Sequence, residues 1–182
     1  VSALAQQASP APSLRIKWAT AEWEHSAAFA LRRDVFCEEQ GVFDGDDRDE
    51  IDAAAVTLVA VMQDEHGPRG VVGTVRIHQD PNEAGTWWGS RLAVARGHRG
   101  HTGRGIGADL IRLAVSSAHG RGCTRFLANV QSANVPLFEH LRWRSLKEMD
   151  LFGRPHHRME ADLQHYPPFA TPEAGFLSGE SI

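Results

Sequence analysis

Four of the five glycines in the segment RLAVARGHRGHTGRGIGADLIRLAV, residues 91–115, crowd together: Gly100, Gly103, Gly105 and Gly107. A glycine-rich stretch of this kind lets successive backbone N–H groups converge, and the helix that follows adds the positive end of its dipole. Together they suit a pyrophosphate. Between Arg91 and Ala108 there are four arginines, two histidines and no acid, so the rim is electropositive. The candidate phosphate site therefore runs from Arg99 to Gly107, with Arg99, Gly100, Gly103, Arg104, Gly105, Ile106 and Gly107 as its contacts. A P-loop would need Gly-Lys-Ser/Thr, and no lysine lies near. A dinucleotide fingerprint also fits badly: the loop after Val94 is too long, and the next strand ends at Asn129 where an acidic ribose ligand belongs.

The second concentration of chemistry is acidic. Nine carboxylates lie between Asp34 and Asp52 against the single Arg48. Most read as a solvated loop. Glu39, at a helix end beside Gln40 and Gly41, and Asp52, just before an apolar strand, are the best-placed candidates for a general base. His98 and His101 fall in the glycine loop. His156 and His157 open the last strand, where one can face a cleft and the other must point away. Cys37 and Cys123 have no CxxC or zinc-type spacing, and no metal site is assigned.

These groups need a scaffold. Leu14, Ile16 and Trp18 alternate as a strand, and Thr20 offers an N-cap to a helix with Trp23, Ala27, Ala30, Leu31 and Val35 as its inner stripe. AVTLVAVMQ and VVGTVRIHQ, separated by DEHGPRG, predict an antiparallel hairpin. WWGSRLAV adds a strand, and the glycine loop leads into a helix with Ile106, Leu110, Leu113 and Ala114 on one face and Gly120 as its C-cap. TRFLANV reads as a buried strand, VPLFEHL as a short helix, and WRSLKEMDLFG with HHRMEADL as a closing strand pair. The expected fold is α+β, a mixed, mostly antiparallel central sheet with flanking helices. The ends, 1–13 and 167–182, are rich in Pro, Ala, Ser and Gly and read as flexible segments around a domain at 14–166.

RLAV, RGHTGRGIGADLI and FLANVQSANVPLFEHLRW together resemble the GCN5-related N-acetyltransferases (GNAT). That family's pattern is a strand ending in LAV, an R/Q-x-x-G-x-G/A loop, and an Asn followed by a Tyr-Glu-Lys-Leu-Gly-Phe-like helix end. The resemblance covers nearly all of residues 14–163, and the inferred element order agrees with the GNAT fold. It implies transfer of acetyl from acetyl-CoA to an amine, small or on a protein, by direct attack, with a carboxylate or histidine as base. It further implies that the backbone of Leu92, Ala93 and Val94 holds the pantetheine arm, with Asn134 and Phe138 also at the cofactor. The sequence departs from the pattern twice. Thr102 stands three residues before Gly105 where Arg or Gln is usual, so reading Arg99 in that role lengthens the loop by three residues. Phe138 replaces the tyrosine that protonates the departing thiolate in many members, and a phenyl ring cannot donate a proton.

Upstream, LRRDVFCEEQGVFDGDDRDEID is similar to a GNAT subgroup carrying R-x-x-V-F-x-x-E-Q-G-V, and the strand and helix segments are similar to acetyltransferases found beside nitrilases. Acyl-homoserine-lactone synthases share an Arg-x-x-x-Phe and acidic pattern, met here by Arg32, Phe36, Asp49 and Asp52, although they generally lack the glycine loop. Two alternatives thus stand beside the acetyltransferase: a GNAT module that binds acyl-CoA without turnover, and acyl-homoserine-lactone-like transfer. The acidic loop from Gln40 to Asp52 predicts a cationic acceptor steered to one mouth of the cleft, opposite the arginine-lined cofactor mouth.

Composition bounds the rest. In 182 residues, 42% are apolar and 23% charged, with net charge -4, which excludes global disorder and a nucleic-acid-binding polycation. All basic residues but Lys17 and Lys147 are arginine, the bias of a GC-rich bacterial genome. The longest apolar stretch, Ala53 to Met62, is about half of what a membrane-spanning helix needs, and the first residues lack a basic start and an apolar core. The expectation is a cytoplasmic protein, neither membrane-anchored nor bound to nucleic acid. The sequence says nothing of oligomeric state.

Overall fold

A computed structural model describes residues 11–100 and 105–182. The strands are β1 (Ser13–Trp18), β2 (Val56–Asp64), β3 (Gly67–Gln79), β4 (Thr86–Val94), β5 (Arg125–Gln131), β6 (Trp143–Leu151), β7 (Arg154–Ala161) and β8 (Phe176–Leu177). They form one sheet in the order β6-β7-β5-β4-β3-β2-β1-β8. Neighbours are antiparallel except β4 and β5, which run parallel. Helix α1 (Glu22–Arg33) covers β2, β3 and β4 on one face, and α2 (Ile106–His119) covers β1 to β4 on the other, with α3 (Val135–His140) against β6. This is the α+β architecture that the patterning predicts, and the hairpin of β2 and β3 falls where the turn residues put it. Among the described residues no helix is long and apolar enough to cross a membrane.

Helix α2 is buried almost all round, from Ile106 to Ala118. It lies close to the sheet because Gly73 has no side chain: a Cβ there would come within 2.4 Å of Ile106 Cγ2. That close approach fixes the N-terminus of α2 beside the end of β4.

Helix α1 departs from the expected stripe. Its N-cap is Ala21 rather than Thr20, and Glu24 takes over the capping role by accepting from the N–H groups of Thr20 (2.7 Å) and Ala21 (3.1 Å) and from Lys17 Nζ. Trp23 is 42% exposed, while Ala28 and Arg32 are buried with Leu31. A hydropathy pattern cannot place an arginine inside, because its burial depends on carboxylates that arrive from later in the chain. Beyond Arg33 the helix widens into a π-helical turn, Asp34–Glu39, in which the Gln40 N–H bonds to Val35 O at 2.9 Å. Such turns often redirect a helix end at a functional site.

The C-terminal segment 167–182 is not a loose tail. Ile16 of β1 pairs with Phe176 of β8, and Phe176 is only 4% exposed. Trp18 N–H bonds to Pro172 O (2.7 Å), Phe169 N–H to Ser116 O (3.0 Å) and Ser178 N–H to Leu14 O (2.8 Å). Its apolar residues lacked a period because they fill separate gaps along β1 and α2 instead of one face.

Candidate functional site

The parallel pair β4–β5 is short. Its register runs only from Thr86 opposite Arg125 to Gly89 opposite Ala128, although β4 continues to Val94 and β5 to Gln131. Beyond Gly89 the strands part, and the β5-facing backbone groups of β4 are left without a ladder partner on that side. A bulge on the other edge of β4 accompanies the separation. Between the pairs Thr74–Ala93 and Arg76–Ser90, β3 supplies one residue, Val75, and β4 supplies two, Arg91 and Leu92. Arg91 takes a left-handed φ of 56°, a conformation that costs a non-glycine residue energy and recurs at functional sites.

A cleft of about 260 Å³ opens into this gap. Leu92, Ala93 and Val94 line one wall, Gly105, Ile106, Gly107 and Ala108 another, and His98, Arg99 and Gly100 the mouth; Val35, Gln40, Asn134 and Leu137 complete it. The helix α2 begins at Gly105 without a side-chain cap, so among the described residues nothing caps its first amides, which can take an anion. Gly105 has φ 151°, and a Cβ there would meet nothing within 4 Å. That empty space lies against the backbone where a phosphate would approach. Uncapped amides, a cationic mouth and an apolar inner end fit an acyl-CoA thioester. The larger depression, about 500 Å³ on the outer side of α1, is lined by Ser26, Phe29, Arg33, Asp34, Glu38 and Arg48. It has no converging amides and no strand end.

Most of the residues expected at the cofactor therefore come together: Leu92, Ala93, Val94, Arg99, Gly100, Gly105, Ile106, Gly107 and Asn134 all line the cleft. Gly103, Arg104 and His101 lie outside the described residues. Phe138 does not line it. Its ring is 6% exposed and meets Trp143 edge-on at 5.0 Å, and Leu137, one residue earlier, faces the cleft instead. On so short a helix, the position next to the aligned tyrosine site is the one turned outward.

Neither expected base stands free. Glu39 is held by Arg99 across the mouth, with Oε1 and Oε2 accepting from the guanidinium at 2.5 and 2.9 Å, and Arg99 Nε also bonds to Val94 O (2.9 Å). The Arg99 contact keeps the Glu39 carboxyl below the usual range. Asp52 belongs to a buried network. Arg32 donates to both its oxygens (2.7 and 3.0 Å), and Arg76 approaches Oδ1 to 2.9 Å. Burial pushes the Asp52 carboxyl up, but hydrogen bonds from Arg32, the Asp49 amide and Arg76 outweigh it and hold the group well below the carboxylate range. A carboxylate so stabilised is a poor proton acceptor.

The same network absorbs two more acids. Asp47, with no exposed side-chain surface, accepts from Arg32 Nε (2.7 Å) and Arg91 Nε (3.0 Å). Asp49 takes both terminal nitrogens of Arg76 (2.6 and 2.9 Å) and Arg91 Nη2 (3.2 Å). Arg32, Asp49 and Asp52, the acidic pattern shared with lactone synthases, are thus a brace that ties the loop to α1 and the bulge. Of the six acids expected to form an acidic mouth, Asp47, Asp49 and Asp52 are thus neutralised, while Asp44, Asp46 and Glu50 stay exposed.

Sequence reasoning missed the groups at the inner end. The Gln40 side chain accepts from Gln131 Nε2 (3.0 Å), and Gln40 O accepts from Arg154 Nη2 (2.6 Å), so Gln40 links the cleft wall to the adjoining ends of β5 and β7. His156 lies opposite Gln131, and Arg158 opposite Asn129. Of the two histidines that open the strand, His156 shares the face of Gln131 and is 6% exposed, whereas His157 points away and bonds to Ser145 Oγ (2.8 Å). His156 Nδ1 lies 2.8 Å from Arg154 O, which can only accept, so Nδ1 carries a proton and, in the neutral ring, Nε2 holds the lone pair. The alternation of HHR in a strand was the available signal, but only the pairing with β5 decides its parity.

The sequence pattern of the Acetyltransferase (GNAT) family matches residues 16–141. The uncharacterized N-acetyltransferase YjcF of Bacillus subtilis is 27% identical over 137 residues, which cover 74% of this chain and 90% of that protein. A structure from Lactobacillus plantarum, described as an N-acetyltransferase, superposes with TM-score 0.70 at 25% identity, covering 82% of this chain and 97% of the other. The CoA-dependent acyl-homoserine lactone synthase BjaI shares the fold, with TM-score 0.64 at 18% identity over 84% of this chain and 86% of that one. The matched pattern spans more than half of the chain, which therefore belongs to the Acetyltransferase (GNAT) family.

Proposed function

We infer that the protein transfers an acyl group, acetyl first among candidates, from a CoA thioester to an amine by direct attack. The observation that carries this reading is the parting of β4 and β5 beyond Gly89, which sets the free strand edge of Leu92–Val94 against the uncapped start of α2 in one cleft. The phosphates would be held by the α2 amides and Arg99, and the acyl arm by the strand edge, whose N–H groups can polarise the thioester carbonyl.

Chemistry then needs a neutral amine. His156 Nε2, on the sheet face that adjoins the cleft at Gln40, serves as its base in place of Glu39 and Asp52. The C–N bond forms, the C–S bond breaks, and the departing thiolate takes its proton from solvent, since Phe138 is turned into the core and Leu137 has none to give. A cysteine relay is disfavoured. Burial and the charges of Asp47 and Asp46 push the Cys37 thiol up, and burial pushes Cys123 up to about 11. An assay of free-thiol release from acetyl-CoA across an amine library tests the reading: thiol release that requires both partners is expected, and CoA binding with no release on any amine would leave a binding module in its place.

A further inference from the structure

The acids that the loop sends toward the cleft are cancelled. Asp47, Asp49 and Asp52 are matched by Arg32, Arg76 and Arg91, and Glu39 by Arg99. The opposite bank carries unmatched positive charge. Alternate residues of β7 share a face, so Arg154, His156 and Arg158 project together on the side of Asn129 and Gln131. Neither arginine has a carboxylate partner among the described residues. Arg154 donates to the Gln40 carbonyl (2.6 Å), and Arg158 donates to Asn129 Oδ1 (3.3 Å) and lies 5.1 Å from the Trp88 ring centroid. Helix α1 packs mainly on β2, β3 and β4, and Asn129 is exposed. Two half-buried guanidinium groups held by neutral acceptors, on the sheet face that adjoins the cleft at Gln40, leave hydrogen-bond donors for a ligand.

We propose that the acceptor is an amine that also carries a carboxylate, as an amino acid does, and that Arg154, with Arg158 further along β7, binds that carboxylate while His156 between them faces the amine. The inference rests on the acyl-transfer reading. Its chemistry is consistent with the cancelled acids: a simple polyamine would meet two uncompensated arginines and be repelled, whereas a zwitterion offers its carboxylate to them and its nitrogen to the histidine. Arg154 and Arg158 are specificity-determining groups in this scheme, since they fix which end of the acceptor faces the thioester.

The test compares amino acids with their carboxamides, matched side chain by side chain, in the thiol-release assay with acetyl-CoA. Calorimetric binding of the N-acetylated acids and N-acetylated amides to the CoA-loaded protein runs in parallel. The acid of a productive pair is expected to exceed its amide in kcat/KM by about ten- to a hundredfold, the range for a hydrogen bond to a charged group. Arg154→Gln and Arg158→Gln should erase that ratio, and Arg154→Lys should restore part of it, which a purely structural loss would not do. Equal rates for acids and amides would overturn the proposal and leave acyl transfer standing. Should no amine turn over, the acyl-transfer reading fails, and the binding arm still decides: selective binding of N-acetylated acids, lost in Arg154→Gln, upholds a carboxylate site, and its absence overturns one.

Discussion

Glu39 shows how a residue can sit at the right place and hold the wrong partner. Its carboxylate occupies the guanidinium that a phosphate would need, so Glu39→Gln should leave turnover in place and tighten CoA binding several-fold by calorimetry. Because Arg99 holds the Glu39 carboxyl below its ordinary value, the ion pair persists throughout the neutral range and opens only as pH falls through that depressed value. His156 is the contrasting case. His156→Asn should lower kcat by about a hundredfold or more, the usual scale for a lost general base, with KM for acetyl-CoA unchanged. An equal loss in Glu39→Gln and none in His156→Asn would return the base to the helix end. Gly105 supplies the third residue-scale test. Its φ of 151° is strained for any side chain, and a branched Cβ would fill the space against the α2 amides. Gly105→Val should abolish CoA binding while circular dichroism remains that of the wild type.

Among the elements, the bulge on β4 and the loop after α1 form one unit. Arg91, turned by the bulge, reaches Asp47 and Asp49, and Arg32 reaches Asp47 and Asp52 from α1. The side chains of Arg32 and Asp47 are 2% and 0% exposed, so removing one partner strands a buried charge. Asp47→Ala should therefore cost about 3–5 kcal/mol, a fall in Tm of about 6–20 °C for a domain of this size. The folded-state carboxyls of Asp49 and Asp52 lie below their unfolded value of 3.8. Their contribution is complete above that value and is lost as pH falls through the depressed folded values. Acid denaturation in Asp52→Asn should accordingly start from a lower stability and show a shallower pH dependence in that acidic window. Parallel loss of CoA binding in Asp47→Ala, measured below its Tm, would show that the brace also sets the cleft.

At the scale of the molecule, the sheet is completed by its own C-terminus. Phe176 closes over Ile16, Ser178 Oγ donates to Asp109 at the start of α2, and Tyr166 hydroxyl joins Trp143 Nε1 (3.0 Å) to the Leu141 carbonyl. Truncation after Tyr166 exposes Ile16 and forfeits the burial of Phe176, itself worth about 1.5–3 kcal/mol. Differential scanning calorimetry should record a Tm lower by about 5 °C or more. An unchanged Tm would mean that 167–182 adds nothing to the folded body.

What the sequence determined by itself was local: apolar alternation placed the strands, DEHGPRG placed the hairpin turn, and glycines between an apolar strand and an apolar helix pointed to the proposed anion site. Each depends on residues within a turn or two of one another, so hydropathy and backbone freedom suffice. Tertiary structure decided which of the nine acids remain available. Arg99 and Glu39 are 60 residues apart, and Arg76 and Asp49 are 27 apart; a charge is cancelled by whatever the fold brings to it, and no local pattern records that. It decided that His156 and not His157 faces Gln131, because strand parity is set by pairing with β5. It turned Phe138 into the core beside Trp143, because a helix face is chosen by what packs on it. The proposed cofactor side was legible because most of its wall comes from backbone and glycine between Leu92 and Ala108, and the proposed acceptor side was not because it is built from side chains that meet only when the sheet closes.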